Sequence, residues 1–147
     1  MKTKIAKDFY WEMSHRLPFH DGPCKNIHGH SYKIRVEITG KPDTKGIVLD
    51  YYDLKVLMIP IIEKLDHSFI ADSEDKVMLD FLSANDFKYH ILSKSTTAEN
   101  LAEYIFNEVK TELIRKYMNI TELMIRLYET NDVYAEVREE FQLPNDA

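Results

Sequence analysis

Apolar and polar residues alternate at the start of the chain, which is the pattern of a β-strand with one buried face. Between residues 4 and 13 the apolar row consists of Ile5, Phe9, Trp11 and Met13, with Lys7 as an interruption. A second alternating run has the apolar positions Tyr32, Ile34, Val36 and Ile38. Two prolines and a glycine between the runs indicate an irregular loop. The first forty residues therefore predict two strands and the loop that connects them.

The middle of the chain changes to helical spacing after a short predicted strand at residues 47–49. Apolar residues recur every third or fourth position over 52–65, where Pro60 would kink the helix or begin a second one. A shorter helix is predicted at 73–82, and residues 85–95 fit a loop or a short strand. The clearest helix covers residues 98–117, and Thr96 with Glu99 fits a capping box at its start.

Two more strands are predicted near the end of the chain, at 123–128 and 133–137, joined as a hairpin. Residues past Phe141 have the composition of a frayed tail. This order of elements predicts an α+β domain in which helices pack on one face of a four-stranded antiparallel sheet. The 147 residues, 44% of them hydrophobic, are enough for one domain, 1–147, and few for two.

Charge and cysteine usage narrow the class of protein. A formal net charge of −6, with lysines interspersed among acids, argues against nucleic-acid binding, which needs a basic face. A small anionic substrate would need only a local cluster such as Arg16, Lys25 and Lys33. We expect no membrane segment and no signal peptide, since no apolar run of sufficient length occurs. The single cysteine, Cys24, excludes an intramolecular disulfide and fits a reducing cytoplasm.

The pair His28 and His30 carries the candidate chemistry. On a strand, residues two apart point to the same side, so both imidazoles are available to one metal ion, and His15 ends the preceding strand as a third ligand. Zinc held by three protein ligands keeps one position open for catalysis, whereas a closed structural site would need more than one cysteine. Zinc is the metal favoured by three nitrogens, although imidazole also binds copper, nickel and iron. The other candidates, His20 and His90, are interpreted as ordinary histidines.

Six short motifs follow one another along the chain. They are Ser14-His15-Arg16-Leu17, Cys24 ahead of His28-Gly29-His30-Ser31-Tyr32, Gly46-Ile47-Val48-Leu49-Asp50-Tyr51, Leu65-Asp66-His67, Thr97-Ala98-Glu99-Asn100 and Tyr128-Glu129-Thr130. In this order they resemble the 6-pyruvoyltetrahydropterin synthase and 6-carboxytetrahydropterin synthase family, over nearly the whole chain. The resemblance implies the tunnelling fold, in which sheets of several subunits join into a barrel. It also implies a homo-oligomer, a trimer or a hexamer of two trimers, with active sites between protomers.

The resemblance also implies roles for particular residues. The zinc ligands would be His15, His28 and His30. The catalytic group would be Cys24, assisted by Asp66 and His67 across a subunit boundary, and the contacts to the pterin would come from Glu129 and Thr97. The implied substrate is 7,8-dihydroneopterin triphosphate. Physically, an open zinc ion polarises an oxygen beside a carbon-bound proton, and a thiolate near zinc can serve as the base.

The predicted function is that of a zinc-dependent lyase which forms 6-carboxy-5,6,7,8-tetrahydropterin on the queuosine or deazapurine route. The alternative is a 6-pyruvoyltetrahydropterin synthase of the tetrahydrobiopterin route. Two further alternatives are a zinc hydrolase with the same three histidines and a non-catalytic pterin-binding protein. The chain departs from the family pattern at 69–72 and at 95–96, and its segment 73–94 is longer than in compact members. These departures bear on substrate specificity more than on metal binding.

Overall fold

The antiparallel hairpin of two 13-residue strands forms the centre of the fold. The computed structural model describes residues 1–143, and in it β1 spans Thr3–His15 and β2 spans His28–Gly40. Phe9 pairs with Ile34 and Trp11 with Tyr32, so the two predicted apolar rows face the same side. A short 3₁₀ turn, Pro23–Lys25, interrupts the loop between the strands. Both predicted strands are confirmed, and both are longer than their alternating runs.

Within residues 1–143, six strands rather than the predicted four make up the sheet. The additional elements are β3 (Ser68–Asp72), β4 (Tyr89–Leu92), β5 (Ile120–Tyr128) and β6 (Tyr134–Glu140). The strand order is β4-β3-β1-β2-β5-β6. The predicted antiparallel four are β1, β2, β5 and β6, while β3 and β4 add a short parallel ladder at the β1 edge. The count of four was therefore wrong by these two strands, and the predicted loop or short strand at 85–95 contains β4.

Two of the three helices cover one face of the sheet. They are α1 (Tyr51–Leu65) and α3 (Ala98–Lys116), and their apolar sides enclose the main core with the inner residues of β1, β2 and β5. The every-fourth-residue pattern of α3 is fully buried, at Leu101, Ile105, Val109 and Leu113. Pro60 lies inside α1 on its exposed side and begins no second helix.

The remaining helix, α2 (Lys76–Ala84), packs on the opposite face. In β3 the side chain of Ile70 belongs to the main core, whereas its neighbours Phe69 and Ala71 form a second cluster with Met78 and Leu82 of α2. Because successive strand residues point to opposite faces, α2 lies across the sheet from α1 and α3. The predicted one-face arrangement holds for the two long helices only.

Residues 47–49 form a turn rather than the predicted short strand. The carboxylate of Asp43 accepts hydrogen bonds from the backbone N–H groups of Lys45 and Ile47, at 2.8 and 2.9 Å, and Gly46 has a positive φ of 84°. The N–H of Ile47 is therefore not available to a strand ladder. Val48 and Leu49 are nevertheless buried, so their apolar character reflects packing without pairing.

The chain remains packed just beyond β6. The N–H of Phe141 donates to the carbonyl oxygen of Thr121 at 2.7 Å, and Leu143 is buried. Residues 141–143 are therefore not frayed, and the rest of the predicted tail, 144–147, lies outside the described residues. Within 1–143, no helix combines the length and the apolar character needed to cross a membrane.

Candidate metal centre and active site

Three histidines meet where the core face of the hairpin ends. The register of β1 and β2 places His15 directly opposite His28, and His30 opposite Met13. One ring nitrogen from each histidine lies within 4.8 Å of the others. The three histidine side chains thus lie on the same face as Trp11 and Tyr32, at the end of the two apolar rows. The predicted cluster is brought together by strand register alone.

Hydrogen bonds to carbonyl oxygens orient two of the three rings. Nδ1 of His15 lies 2.9 Å from the carbonyl oxygen of Thr96, and Nδ1 of His28 lies 2.7 Å from that of Asn26. A carbonyl only accepts, so each Nδ1 carries the proton and each Nε2 keeps a free lone pair. Nε2 of His15 and of His30 is buried with no hydrogen-bond partner among the described residues. Buried nitrogens without partners, aimed at one point, fit a metal ion.

Burial favours the neutral form of two of the three imidazoles, His15 and His30. His15 is 1% exposed, and burial lowers its pKa to about 4, against the opposing effect of the Thr96 carbonyl. Burial also lowers the pKa of His30, with a further contribution from the neighbouring His28. A histidine must be unprotonated to ligate a metal, so burial favours the ligating state of His15 and His30.

A carboxylate lies beside the histidines at the mouth of a cavity. Oε1 of Glu129, which follows β5, is 3.9 Å from Nε2 of His15. The cavity has a volume of about 360 Å³ and also contains Thr97 and Glu99. Burial raises the pKa of Glu129, and the nearby Glu99 raises it further, while His28 opposes both. A half-buried carboxylate in a cavity of this size is suited to binding the N–H groups of a flat heterocycle.

The only thiol lies in the loop between the metal-ligand strands. Cys24 belongs to the 3₁₀ turn and is half-buried. Its carbonyl oxygen accepts a hydrogen bond from the N–H of Leu17 at 2.8 Å. Leu17 follows His15 by two residues and lines the same cavity as Glu129. The loop is thereby folded back so that the turn carrying Cys24 is attached beside the histidine cluster.

The side chains of Asp66 and His67 contact each other at the C-terminal end of α1. Nδ1 of His67 lies 2.9 Å from Oδ2 of Asp66, and Oδ1 of Asp66 accepts from the N–H of Glu12 at 3.0 Å. That last bond is the main cause that lowers the pKa of Asp66, with His67 adding to it. His67 has a φ of 55°, a left-handed conformation that costs an L-residue about 1–2 kcal/mol. Its side chain is 77% exposed.

The Asp66–His67 pair makes no direct bond to the other site residues within the described part of one chain. No hydrogen bond or ion pair among residues 1–143 joins it to Cys24 or to the three histidines. The N–H of His67 donates to the carbonyl of Glu12, three residues before His15, which is about 10 Å along a strand. His67 lines an open cavity of about 540 Å³ next to α2, and His30 lines the same cavity. The structure therefore groups His15, His28, His30 and Glu129, and leaves Asp66 and His67 facing outward.

Two of the three basic side chains predicted near the histidines already have partners. Arg16 donates from Nε and Nη2 to the two carboxylate oxygens of Asp75, both at 2.6 Å. Lys33 lies 3.9 Å from Asp8 and 4.8 Å from the ring centroid of Tyr128. Among the described residues, Lys25 is the member of this predicted cluster that makes no ion pair.

Thr96 is a positioning residue that the sequence pattern did not reveal. The capping box assigned it to the start of α3, but the N-cap is Thr97, whose Oγ1 accepts from the N–H of Asn100 at 3.3 Å. Thr96 is buried, its Oγ1 donates to the carbonyl of Arg16, and its own carbonyl accepts from His15. Two consecutive threonines before a helix are a usable signal, because only one of them can be the N-cap.

The sheet and helices of this α+β protein have the tunnelling fold (T-fold). Three histidines, a flanking carboxylate and a thiol in the intervening loop form a candidate metal-dependent site. Residues 4–140 match the model of the 6-pyruvoyl tetrahydropterin synthase family. The chain belongs to this family.

Relatives and solved structures agree with this assignment. The 6-carboxy-5,6,7,8-tetrahydropterin synthase of Haemophilus influenzae is 37% identical over 147 residues, covering 92% of this chain and 99% of its own. The protein of that name from Rickettsia conorii is 31% identical over 137 residues, covering 91% and 99%. The crystal structure of 6-pyruvoyl tetrahydropterin synthase from Plasmodium vivax matches with a TM-score of 0.79 at 16% identity, covering 96% and 99%. The last comparison establishes the fold.

Proposed function

We propose that this chain is a zinc-dependent 6-carboxy-5,6,7,8-tetrahydropterin synthase that acts on 7,8-dihydroneopterin triphosphate. The observation that carries the proposal is the histidine cluster, in which the buried Nε2 atoms of His15 and His30 have no hydrogen-bond partner within residues 1–143 and that of His15 lies 3.9 Å from Glu129. The names of the Haemophilus and Rickettsia relatives support the choice of product. A cytoplasmic setting and the queuosine route are parts of the same proposal.

The residues have separate tasks in this proposal. His15, His28 and His30 hold the metal, and a bound zinc ion would supply Lewis-acid polarisation of a substrate oxygen. Glu129 accepts hydrogen bonds from the pterin ring, and Thr97 contacts the substrate from the start of α3. Cys24, as the thiolate, removes a carbon-bound proton from the side chain of the substrate. Asp66 orients His67, which shuttles that proton.

The exposed Asp66–His67 pair supports a site shared between copies of the chain. Within one protomer the pair contacts Glu12 rather than Cys24, and the His67 side chain points outward. A proton shuttle that faces away from its own thiol can serve the thiol of a neighbour. We therefore propose a homo-oligomer, a trimer or a hexamer, in which each site takes Cys24 and the histidines from one chain and His67 from the next.

A 6-pyruvoyltetrahydropterin synthase is the second candidate. It is favoured by the family description and by the solved structures that share the fold. Both reactions begin with the same substrate and both release triphosphate. They differ in whether the side chain is retained as a pyruvoyl group or is shortened, with release of acetaldehyde.

Product analysis tests the proposal. Purified protein loaded with zinc is incubated with 7,8-dihydroneopterin triphosphate, and the products are identified by mass spectrometry together with an acetaldehyde assay. We expect 6-carboxytetrahydropterin, with one acetaldehyde and one triphosphate for each substrate consumed. A pyruvoyl product without acetaldehyde would assign the second candidate, and unchanged substrate would refute both.

A further inference from the structure

Lys88 reaches from the chain between α2 and β4 to the C-terminal end of α1. Its Nζ donates to the carbonyl oxygens of Glu63 and Asp66, each 2.6 Å away. The last four carbonyls of a helix have no partner within the helix, and a cation beside them also interacts favourably with the helix dipole. The C-terminal end of α1 is thus capped by a lysine that lies 22 residues beyond Asp66 in the sequence.

The peptide group that Lys88 contacts joins Asp66 to His67, the residue with the strained backbone conformation. The carbonyl of Asp66 precedes His67, whose φ of 55° is maintained only where surrounding contacts hold it. Glu12 supplies contacts from the β1 side, where its N–H and carbonyl bind the Asp66 carboxylate and the His67 N–H. Lys88 supplies the contact to the Asp66 carbonyl. The dipeptide is therefore held from two different parts of the chain.

The backbone of Lys88 is itself fixed by neighbouring elements. Its carbonyl accepts from the N–H of Phe69 in β3 at 3.1 Å. The preceding residue, Phe87, donates from its N–H to the carbonyl of Leu82 in α2 at 3.2 Å, and its ring packs 5.7 Å from that of Phe81. The contacts of the segment between α2 and β4 thus fix the position of the Lys88 ammonium group.

We propose that Lys88 is a positioning residue, which sets the orientation of the Asp66–His67 pair through the peptide group between them. This assigns a task to the segment 73–94. The catalytic consequence rests on the proposed function, whereas the hold on the peptide group does not. Lys88 acts through the backbone and needs no contact with substrate.

Steady-state kinetics of three variants test the catalytic part. Lys88→Met keeps most of the side-chain length and removes the donors, Lys88→Arg restores them, and Lys76→Met is the control. Lys76 begins α2 and makes no ion pair within residues 1–143. We expect kcat of Lys88→Met to fall about 10-fold with KM and zinc content unchanged, because misplacing a catalytic group slows the chemical step. Lys88→Arg should recover to within about 3-fold of wild type, and Lys76→Met should match it.

Amide hydrogen exchange at His67 tests the structural part without any turnover. We expect the His67 N–H to exchange about 10-fold faster in Lys88→Met and unchanged in Lys76→Met. Wild-type kcat or a wild-type exchange rate in Lys88→Met would overturn the proposal. Equal loss of kcat in Lys88→Met and Lys88→Arg, with unaltered exchange, would overturn it as well. If the wild-type protein turned over no pterin, the proposed function would fail while the exchange rates still decided whether Lys88 holds the peptide group.

Discussion

Nδ1 of His15 donates to the carbonyl oxygen of Thr96, 2.9 Å away, across 81 residues of chain. This bond joins the end of β1 to the residue just before the N-cap of α3. It fixes the tautomer of a buried imidazole and leaves Nε2 unprotonated, with a lone pair free for a metal ion. The same nitrogen lies 3.9 Å from Glu129, so a single side chain connects the ligand cluster with the proposed pterin site.

The histidine cluster predicts how metal content responds to substitution. Protein purified without added metal should contain about one zinc ion per chain, and His15→Ala or His28→Ala should lose most of it, since two remaining ligands hold zinc poorly. Elemental analysis by mass spectrometry measures this. His20→Ala is the matched control, because His20 lies in the loop and hydrogen-bonds to the N–H of Gly22. Full zinc in both ligand variants would contradict the assignment.

Removal of the only thiol should abolish turnover and leave the metal in place. Cys24→Ala is expected to lower kcat at least ~100-fold, which is the usual scale for the loss of a general base. Zinc content and thermal stability should remain those of the wild type, since Cys24 is half-buried in a turn. A zinc hydrolase with the same histidines would keep most of its activity in this variant, so the assay separates the two classes of enzyme.

Mixing two inactive variants tests whether the site is shared between chains. Cys24→Ala and His67→Ala should each be nearly inactive alone. Unfolded together and refolded as a 1:1 mixture, they should recover about a quarter of wild-type activity, because one site in four would combine two intact residues in a shared-site oligomer. Size-exclusion chromatography of the mixture controls for assembly. Activity that stays at the level of the separate variants would place the whole site in one chain.

The Glu129 carboxylate should increase the affinity of the protein for its substrate. Glu129→Gln keeps the shape of the side chain but loses the charge, and a charge-assisted hydrogen bond contributes about 1.5–3 kcal/mol. We expect KM to rise about 10- to 100-fold. Glu140→Gln, an exposed carboxylate at the end of β6, is the control. Fluorescence titration with a non-reacting pterin measures binding independently of turnover, and equal affinities for the two variants would disprove the role.

The ion pair between Arg16 and Asp75 should govern stability at low pH. Arg16 is the main cause that holds the pKa of Asp75 below its ordinary value, and the Asp75 side chain is 3% exposed. Because the folded pKa is the lower one, the pair stabilises the protein above about pH 4, near the unfolded pKa. Its contribution disappears as pH falls through the folded pKa.

Urea unfolding at a fixed protein concentration checks this. Asp75→Asn should lower the free energy of unfolding by about 3 kcal/mol at pH 7, since the variant leaves Arg16 without its buried partner. The difference from wild type should shrink below about pH 4. Asp80→Asn, an exposed position on α2, should change stability by less than about 0.5 kcal/mol. A pH-independent difference would contradict the role of the Asp75 charge in stability.

The sequence was sufficient for the central part of the fold because the relevant signals are local. The alternating rows of β1 and β2 and the His28–His30 spacing determine which side chains share a face, and the histidine cluster follows from the hairpin register. The four-residue period of α3 likewise gave its buried side. These features need no information from distant parts of the chain.

What escaped prediction depends on contacts between distant segments. The strand β3 has five residues, starts three residues after α1, and pairs in parallel with β1, so its partner is more than fifty residues away. The bond from Lys88 to Asp66 spans 22 residues, and the bond from Thr96 to His15 spans 81. No spacing rule relates such positions. The turn at 47–49 was mistaken for a strand because buried apolar residues give the same pattern with or without a ladder partner.

Arg16 directly follows His15, the last residue of β1, and its side chain binds Asp75 at the start of α2. Only one peptide bond thus separates a residue of the metal cluster from a residue that binds the start of α2. Whatever ion occupies the histidines adds its binding free energy to the folded state, about 2.7 kcal/mol at a concentration of 100 times Kd. In a cooperatively folded domain this stabilisation includes α2, which the Arg16–Asp75 pair joins to the residue directly after the first ligand.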